Sequence, residues 1–313
     1  MQPASAATGS SSAPYLPYTA DSFFRTPVVG AVEDTARSAA FRSFMKTHPD
    51  QKKYAHPRIT GLGSNPWGTT FHLASASDPV WKLAGPGVRK ETTLLGSQGV
   101  HISDDVLKRI PTGTQDREML IVDPIFGYSV FVADCVPNYT TRTITCSSSG
   151  VTWHASNGLD RRNPRSSDKR NFTSRGRISD AGVIRPDLLQ HGIANDTGLG
   201  HVLQFWFVET LTSDGFCHPM IGQEKGKYGF GAEGERVGIR RDVDLKARGF
   251  TGAALVIART LQQHGAYIGD NSGSSTMLKG AQATATYNPY AGMNVSQDCL
   301  KGLTWDDFVV YRR

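Results

Sequence analysis

Asp270 and Asn271 stand inside Gly269-Asp270-Asn271-Ser272-Gly273, a glycine-bracketed polar run that reads as a tight turn. Such a turn brings a carboxylate and a carboxamide close to whatever docks on it, and the carboxylate can then serve as general acid, general base or nucleophile. The same run also fits an ordinary Asx turn, in which Asp270 bonds its own backbone. His201 lies at the mouth of a strand-like stretch, where its imidazole can act as a base or can equally be a satisfied strand-end histidine. Asp160 follows the segment Trp153-His154-Ala155-Ser156-Asn157-Gly158. There Trp153 can stack on a sugar ring with His154 donating to it, or Trp153 belongs to the core and Asn157-Gly158 is only a turn.

Glu209 is a further carboxylate, as are Asp242 and Asp244, although these two share a strand face beside Arg240 and read better as a surface ion pair. Glycoside hydrolysis in its commonest form needs two carboxylates across the scissile bond. The candidate catalytic set is therefore Asp270, His201, Asp160 and Glu209, and the candidate substrate-binding set is Asn271, Trp153, His154, Trp206 and Gln204. Lys225, Lys227 and Tyr228 loosely resemble the lysine and tyrosine content of jelly-roll polysaccharide lyases, without matching their spacing. No P-loop, GxSxG, HExxH or strand-to-helix GxGxxG is present, and the glycine-rich Gly229–Gly234 run precedes a strand, so nucleotide chemistry is disfavoured.

Four cysteines, Cys135, Cys146, Cys217 and Cys299, form no CxxC pair and have no histidine at zinc-finger spacing, so neither a metal nor another cofactor is expected. An even count suits two disulfides. Cys135 and Cys146 flank a short Thr-rich segment that reads as a hairpin clipped at its ends, which leaves Cys217 to pair with Cys299. Four buried thiols in a reducing compartment are the alternative.

These residues need a scaffold, and hydrophobic periodicity outlines one. Asp34–Thr47 reads as an amphipathic helix stopped by Pro49, with Ala36, Ala39, Ala40, Phe44 and Met45 on its small or apolar positions. Trp67–Leu73 and Val80–Leu83 read as short strands, and Met119–Asp123 as a buried strand with Tyr128–Ala133 as its hairpin partner. Gly200–Leu211 is the strongest strand signal. Alternation puts His201, Leu203, Phe205, Phe207 and Glu209 on one face and Val202, Gln204, Trp206, Val208 and Thr210 on the other; both faces are largely apolar, so the strand is expected inside a sandwich and not at its edge. Gly234–Val243 and Thr304–Tyr311 read as strands. Thr251–His264 reads as a helix capped by Thr251 and closed by Gly265.

Many short strands with two isolated helices predict a mainly β, jelly-roll-like sandwich with peripheral helices. The 313 residues, with 33 Gly and 16 Pro, divide into a flexible tail over 1–19 and a single domain over 20–313. The net charge of +6 is spread along the chain apart from a cluster at Arg161–Arg177, which reads as a solvated loop. No apolar run is long enough to span a membrane, and nucleic acid is not expected as a partner. Met1–Thr19 lacks a signal-peptide apolar region, while Ala4-Ser5-Ala6 has the small-x-small look of a leader cleavage site.

The segments DREMLIVD, ISDAGVIRPDLLQ, GHVLQFWF and GIRRDVDLKARGFTGAALVIARTLQQHGAYIGDN resemble a group of uncharacterised bacterial, actinobacterial-type secreted proteins. That resemblance implies an extracellular protein and carries no activity to transfer. The expectation is a secreted enzyme cleaving a polysaccharide or cell-wall glycan by Asp/Glu acid-base chemistry. A polysaccharide lyase and a non-catalytic carbohydrate-binding or cell-surface protein are the alternatives.

Overall fold

The computed structural model describes residues 14–63, 65–85, 93–111, 116–158 and 182–312. In chain order the elements are α1 (Thr35–Thr47), β1 (Arg58–Ile59), β2 (Thr70–Leu73), β3 (Val80–Ala84), α2 (Thr93–Ser97), β4 (Val100–His101), α3 (Asp104–Leu107), β5 (Met119–Asp123), β6 (Tyr128–Ala133), β7 (Val136–Asn138), β8 (Thr143–Thr145) and β9 (Ser148–Trp153). They continue with β10 (Val183–Ile184), α4 (Pro186–Asn195), β11 (Leu203–Phe207), β12 (Arg236–Ile239), α5 (Gly252–Gln263), β13 (Ala266–Asn271), β14 (Met277–Gly280) and β15 (Phe308–Val310).

The strands form one seven-stranded sheet in the order β1-β14-β11-β13-β12-β15, with β10 also on β14, and two four-stranded sheets, β2-β5-β6-β9 and β4-β3-β8-β7. The mainly β expectation holds. A jelly-roll order is not seen among these pairs: β1 and β10 run parallel to β14, β11 to β13, β2 to β5, and β3 to β8, whereas a jelly roll is antiparallel.

Alternation along β5 explains how the layers join. Leu120 and Val122 enter the larger core with Phe205, Leu278 and the buried face of α5, while Met119 and Ile121 enter a second core with Trp81, Tyr128 and Ile144. Every residue of the strand is buried, so a five-residue run with no polar face until Asp123 can only be an interior strand. Each such Leu or Val contributes roughly 1.5–3 kcal/mol by leaving water.

Around the site-bearing sheet, β11 is the central element. Leu203, Phe205 and Phe207 point into the larger core, which leaves Gln204 and Trp206 on the other face, as alternation requires. The strand is shorter than the predicted Gly200–Leu211 span. Its ladder ends at Trp206 on the β14 side and at Phe207 on the β13 side, and Val208 instead donates its N–H to the Thr276 hydroxyl (3.1 Å).

Helices form where their stripes meet a sheet. Asp34 caps α1 by accepting from the Arg37 N–H at 3.0 Å, and the buried positions are Ser38, Phe41 and Met45. The helix thus turns Phe41, and not the small Ala36 and Ala39, toward Phe207 and Trp305. In α5 the residue Thr251 occupies the N-cap without a side-chain hydrogen bond, a correction to its expected capping role, while Gly265 follows the helix at φ +66°. Helix α4, not anticipated from sequence, starts at Pro186, where the missing N–H costs nothing. Among the described residues no helix is long and apolar enough to cross a membrane.

Candidate active site

The polar run around Asp270 is strand before it is turn. Strand β13 continues through Asp270 and Asn271, and the turn proper begins at Ser272, whose N–H donates to the Phe207 carbonyl at 2.7 Å. In the parallel ladder Phe205 pairs with Ile268, but the next residue, Trp206, pairs with Asp270, so Gly269 is bulged out. Bulges of this kind re-aim the following side chain.

The consequence is a row of four residues across four neighbouring strands. Arg58 is the register partner of Met277, Met277 of Trp206, and Trp206 of Asp270. All four line one cavity of about 630 Å³, together with Asn271, Asn65, Trp67, Asp116 and Gln297. Strands β11 and β13 end together beneath it, and the carboxyl ends of parallel strands are where open sheets gather ligands.

Two indoles shape this cavity. Trp67 and Trp206 meet edge to face with centroids 6.5 Å apart. Trp206 is buried, but Trp67 is 41% exposed, a large apolar surface left uncovered at a concave polar site. Lys279 Nζ lies 3.4 Å from the Trp206 ring centroid, and Lys279 forms a buried ion pair with Glu118, which also accepts from the Thr69 hydroxyl at 3.1 Å. Arg58 stacks on Tyr54 with its guanidinium carbon 4.4 Å from the ring centroid, and its Nε donates to Asp298 at 2.9 Å.

Behind Asp270 stand two further carboxylates. Glu224, Glu233 and Asp270 each present an oxygen within 4.8 Å of the others, and these are the residues that could hold a cation or share a proton. Asn271 organises them. Its Oδ1 accepts from the Thr210 N–H (2.6 Å) and hydroxyl (3.1 Å), and its Nδ2 donates to Glu224 Oε2 (2.8 Å). Glu224 in turn donates its N–H to Glu233 Oε1 (2.8 Å) and faces Lys227 Nζ at 3.2 Å. Glu233 is held in place because the next N–H, that of Gly234, donates to the Ile268 carbonyl at 2.7 Å. Gly234 has φ +98°, and a Cβ there would fall 2.0 Å from the Cys217 carbonyl oxygen, so only glycine fits.

Asp270, Asn271 and Trp206 are thus brought together at the cavity. Gln204 lies on the same β11 face, packed against Gly182 and Gly269, and supports the site from below. Glu209 is outside the cavity lining, with Oε2 3.4 Å from His48 Nε2 and Oε1 accepting from the Tyr228 N–H at 3.2 Å. Tyr228 itself is 83% exposed. Asp160 and the basic cluster Arg161–Arg177 lie outside the described residues.

The expected histidines and Trp153 are placed elsewhere. His201 is in the core, stacked on Phe24 with centroids 5.0 Å apart and its Nδ1 2.9 Å from the Val202 carbonyl. Burial, with Arg185 adding to it, holds its pKa down at about 3, so it is not a base at a strand mouth. His154 is buried between Tyr15 and Ser129, 2.7 and 2.8 Å from their hydroxyls, and burial lowers it to about 4. Trp153 packs edge-on against Tyr128 at 5.3 Å beside the second core. Its stacking role gives way to packing because β9 pairs with β6 along its whole length.

Cys135 and Cys146 flank the β7–β8 hairpin with their sulfurs 3.1 Å apart. The hydrogen bond to Cys146 and burial push the Cys135 thiol far up. Cys217 packs against Gly234, whereas Cys299 sits against the larger core, its thiol raised to about 11 by burial. All four are free thiols in this structure, and the expected Cys217–Cys299 bond is not formed.

Sequence reasoning passed over Trp67, Arg58, Asp116, Glu224 and Glu233. The Asn65-Pro66-Trp67-Gly68 segment carried a signal, an indole in a turn-like tetrad with no apolar neighbour to bury it. Glu224 and Glu233 were hidden in a glycine-rich run whose lysines and tyrosine drew the reading instead. Comparison with protein-family models, with curated proteins and with solved structures finds no match.

Proposed function

We propose that this chain is a secreted glycan-cleaving enzyme of the glycoside hydrolase type, with Asp270 exchanging a proton at the glycosidic oxygen and Glu224, beside it but off the cavity lining, within reach to share that proton. The observation that carries the reading is the placing of an uncovered indole, Trp67, and a carboxylate, Asp270, on the wall of one cavity. A sugar ring presents an apolar C–H face for stacking and hydroxyls for polar groups, and this wall offers both kinds of contact.

Asp270 has a carboxylate neighbour: oxygens of Asp270 and Glu224 lie within 4.8 Å of each other. Asn271 acts as a positioning residue, because its carboxamide is committed to Thr210 and Glu224 and orients the latter.

A binding module without turnover is the second reading, favoured by one contact: Asp270 Oδ1 accepts from the adjacent Asn271 N–H at 2.9 Å, which commits that oxygen to its own backbone. Both readings are tested by incubating the protein with a panel of neutral and uronic-acid polysaccharides. New reducing ends that vanish in Asp270→Asn while polymer retention persists support the enzyme. Retention with no new ends in the native chain supports the module. Absorbance from unsaturated ends would instead indicate a lyase.

A further inference from the structure

The cavity at Asp270 has a neighbour. Asn65, Pro66 and Gln297 line it on one side and also line a second cavity of about 780 Å³. These three residues form a fixed partition. Gln297 accepts from Arg58 Nη2 at 2.6 Å and donates to the Leu62 carbonyl, and Asn65 Oδ1 accepts from the Trp67 N–H at 3.0 Å. A ligand crossing the partition would lie in both cavities at once.

The chemistry of the second cavity differs from that of the first. Among the described residues, none that lines it carries a charge: the polar ones are amides and hydroxyls such as Asn288, Thr284 and Ser296, set among Leu62, Pro111 and Val295. Asn288 directs its carboxamide oxygen at the Tyr290 N–H (2.9 Å), which leaves its amide nitrogen as a donor. A carboxylate or sulfate entering here would give up part of its hydration with no cation among the described lining residues to replace it. In the first cavity, among the described lining residues, Asp116 and Asp270 face one guanidinium, Arg58, already bonded to Asp298. Both basins therefore disfavour an acidic chain, despite the positive charge of the protein as a whole.

Resting on the glycan reading above, we infer that the second cavity is a distal subsite for uncharged sugar units, so that the substrate is a neutral glycan chain lying across the partition and cut internally at Asp270. Neutral units suit such a surface, because alternating apolar patches and neutral hydrogen-bonding groups match a sugar ring's own C–H faces and hydroxyls.

The test uses the full chain carrying Asp270→Asn, so that ligands survive. Calorimetric titration with di- to octasaccharides of glucose, mannose and galactose, and with oligogalacturonate of matching lengths, reads affinity against length and charge. The expected result is a neutral-series affinity that rises at least about tenfold, ~1.4 kcal/mol, as the chain grows long enough to reach the second cavity. Adding Ala285→Trp, an exposed position on that cavity's wall, should bring the long-chain affinity down toward the short-chain value at an unchanged melting temperature. Short neutral sugars bound with no length dependence would overturn the subsite while leaving the glycan reading standing. Tighter binding of the uronate series would overturn the neutral class. Binding of neither series would overturn the glycan reading and this inference with it.

Discussion

Gly269 lies so close to the Gln204 carboxamide that a Cβ on it would come within 2.5 Å of Gln204 Cδ. The bulge that sets Asp270 opposite Trp206 therefore packs without displacement because residue 269 has no side chain where β11 presents Gln204. Gly269→Ala should push Gln204 or the β13 backbone aside and cost about 1–3 kcal/mol by overpacking. Its larger effect should be on turnover, since displacement of Asp270 by about an ångström can cost on the order of a hundredfold. The double variant Gly269→Ala, Gln204→Ala should regain stability, which chemical denaturation can measure. Equal stability of wild-type and Gly269→Ala proteins would contradict the packing argument.

That bulge also marks where the sequence stopped being legible. Strands such as Met119–Asp123 and Tyr128–Ala133 were readable because each residue's burial follows from its own type, and the hairpin flanked by Cys135 and Cys146 followed from local spacing. Gly269-Asp270-Asn271 looks like a turn by the same local logic, yet pairing with β11 holds it as strand. The row Arg58, Met277, Trp206, Asp270 depends on β1, β14, β11 and β13 lying side by side, and no local pattern encodes which distant strands become neighbours. His201 failed for a related reason. A histidine beside a strand looks available until Phe24, from far upstream, covers it. Parallel pairs and the three-sheet layering were likewise invisible to periodicity, which reports faces and not partners.

Lys279 gives a stability test of the site's floor. It lies against Trp206 and is ion-paired with Glu118, both partners being about 95% buried. Lys279→Met keeps the aliphatic stem but strands the Glu118 charge, and removal of one partner from a buried pair costs about 3–5 kcal/mol. The double variant Lys279→Met, Glu118→Gln should recover a large part of that loss, because no uncompensated charge remains. Urea denaturation midpoints of the four proteins form the cycle, and additive losses in the double variant would show that the two groups do not interact.

Acid should destabilise the fold through its buried histidines. Burial lowers His201 to about 3, His154 to about 4 and His264 to about 4, from an ordinary value of 6.5. Between those limits the unfolded chain binds protons that the folded chain refuses. Their contribution to stability is thus complete above about pH 6.5 and shrinks as pH falls toward 4. Each histidine adds a slope of about 1.4 kcal/mol per pH unit within its window. Unfolding free energies at about pH 7, 6 and 5 should fall steadily, and His154→Gln should make the decline shallower. A flat profile over that range would show that these imidazoles are not kept neutral by the fold.

Cys135 and Cys146 make the compartment itself testable. Their sulfurs are 3.1 Å apart at the neck of the β7–β8 hairpin, so an oxidant accepting two electrons and two protons can join them with little backbone movement. Closing a loop this short should stabilise by about 3 kcal/mol, chiefly by restricting the unfolded chain. Protein recovered from an oxidising compartment, denatured without reductant and titrated for thiols, should show Cys135 and Cys146 blocked. Cys217 and Cys299 should remain titratable, since no disulfide joins them in this structure. Dithiothreitol, or the variant Cys135→Ala, should lower the melting temperature by the same amount. Four reactive thiols in the native product would remove the main chemical support for a site of action outside the cytoplasm, leaving the cavity at Asp270 to be judged on turnover alone.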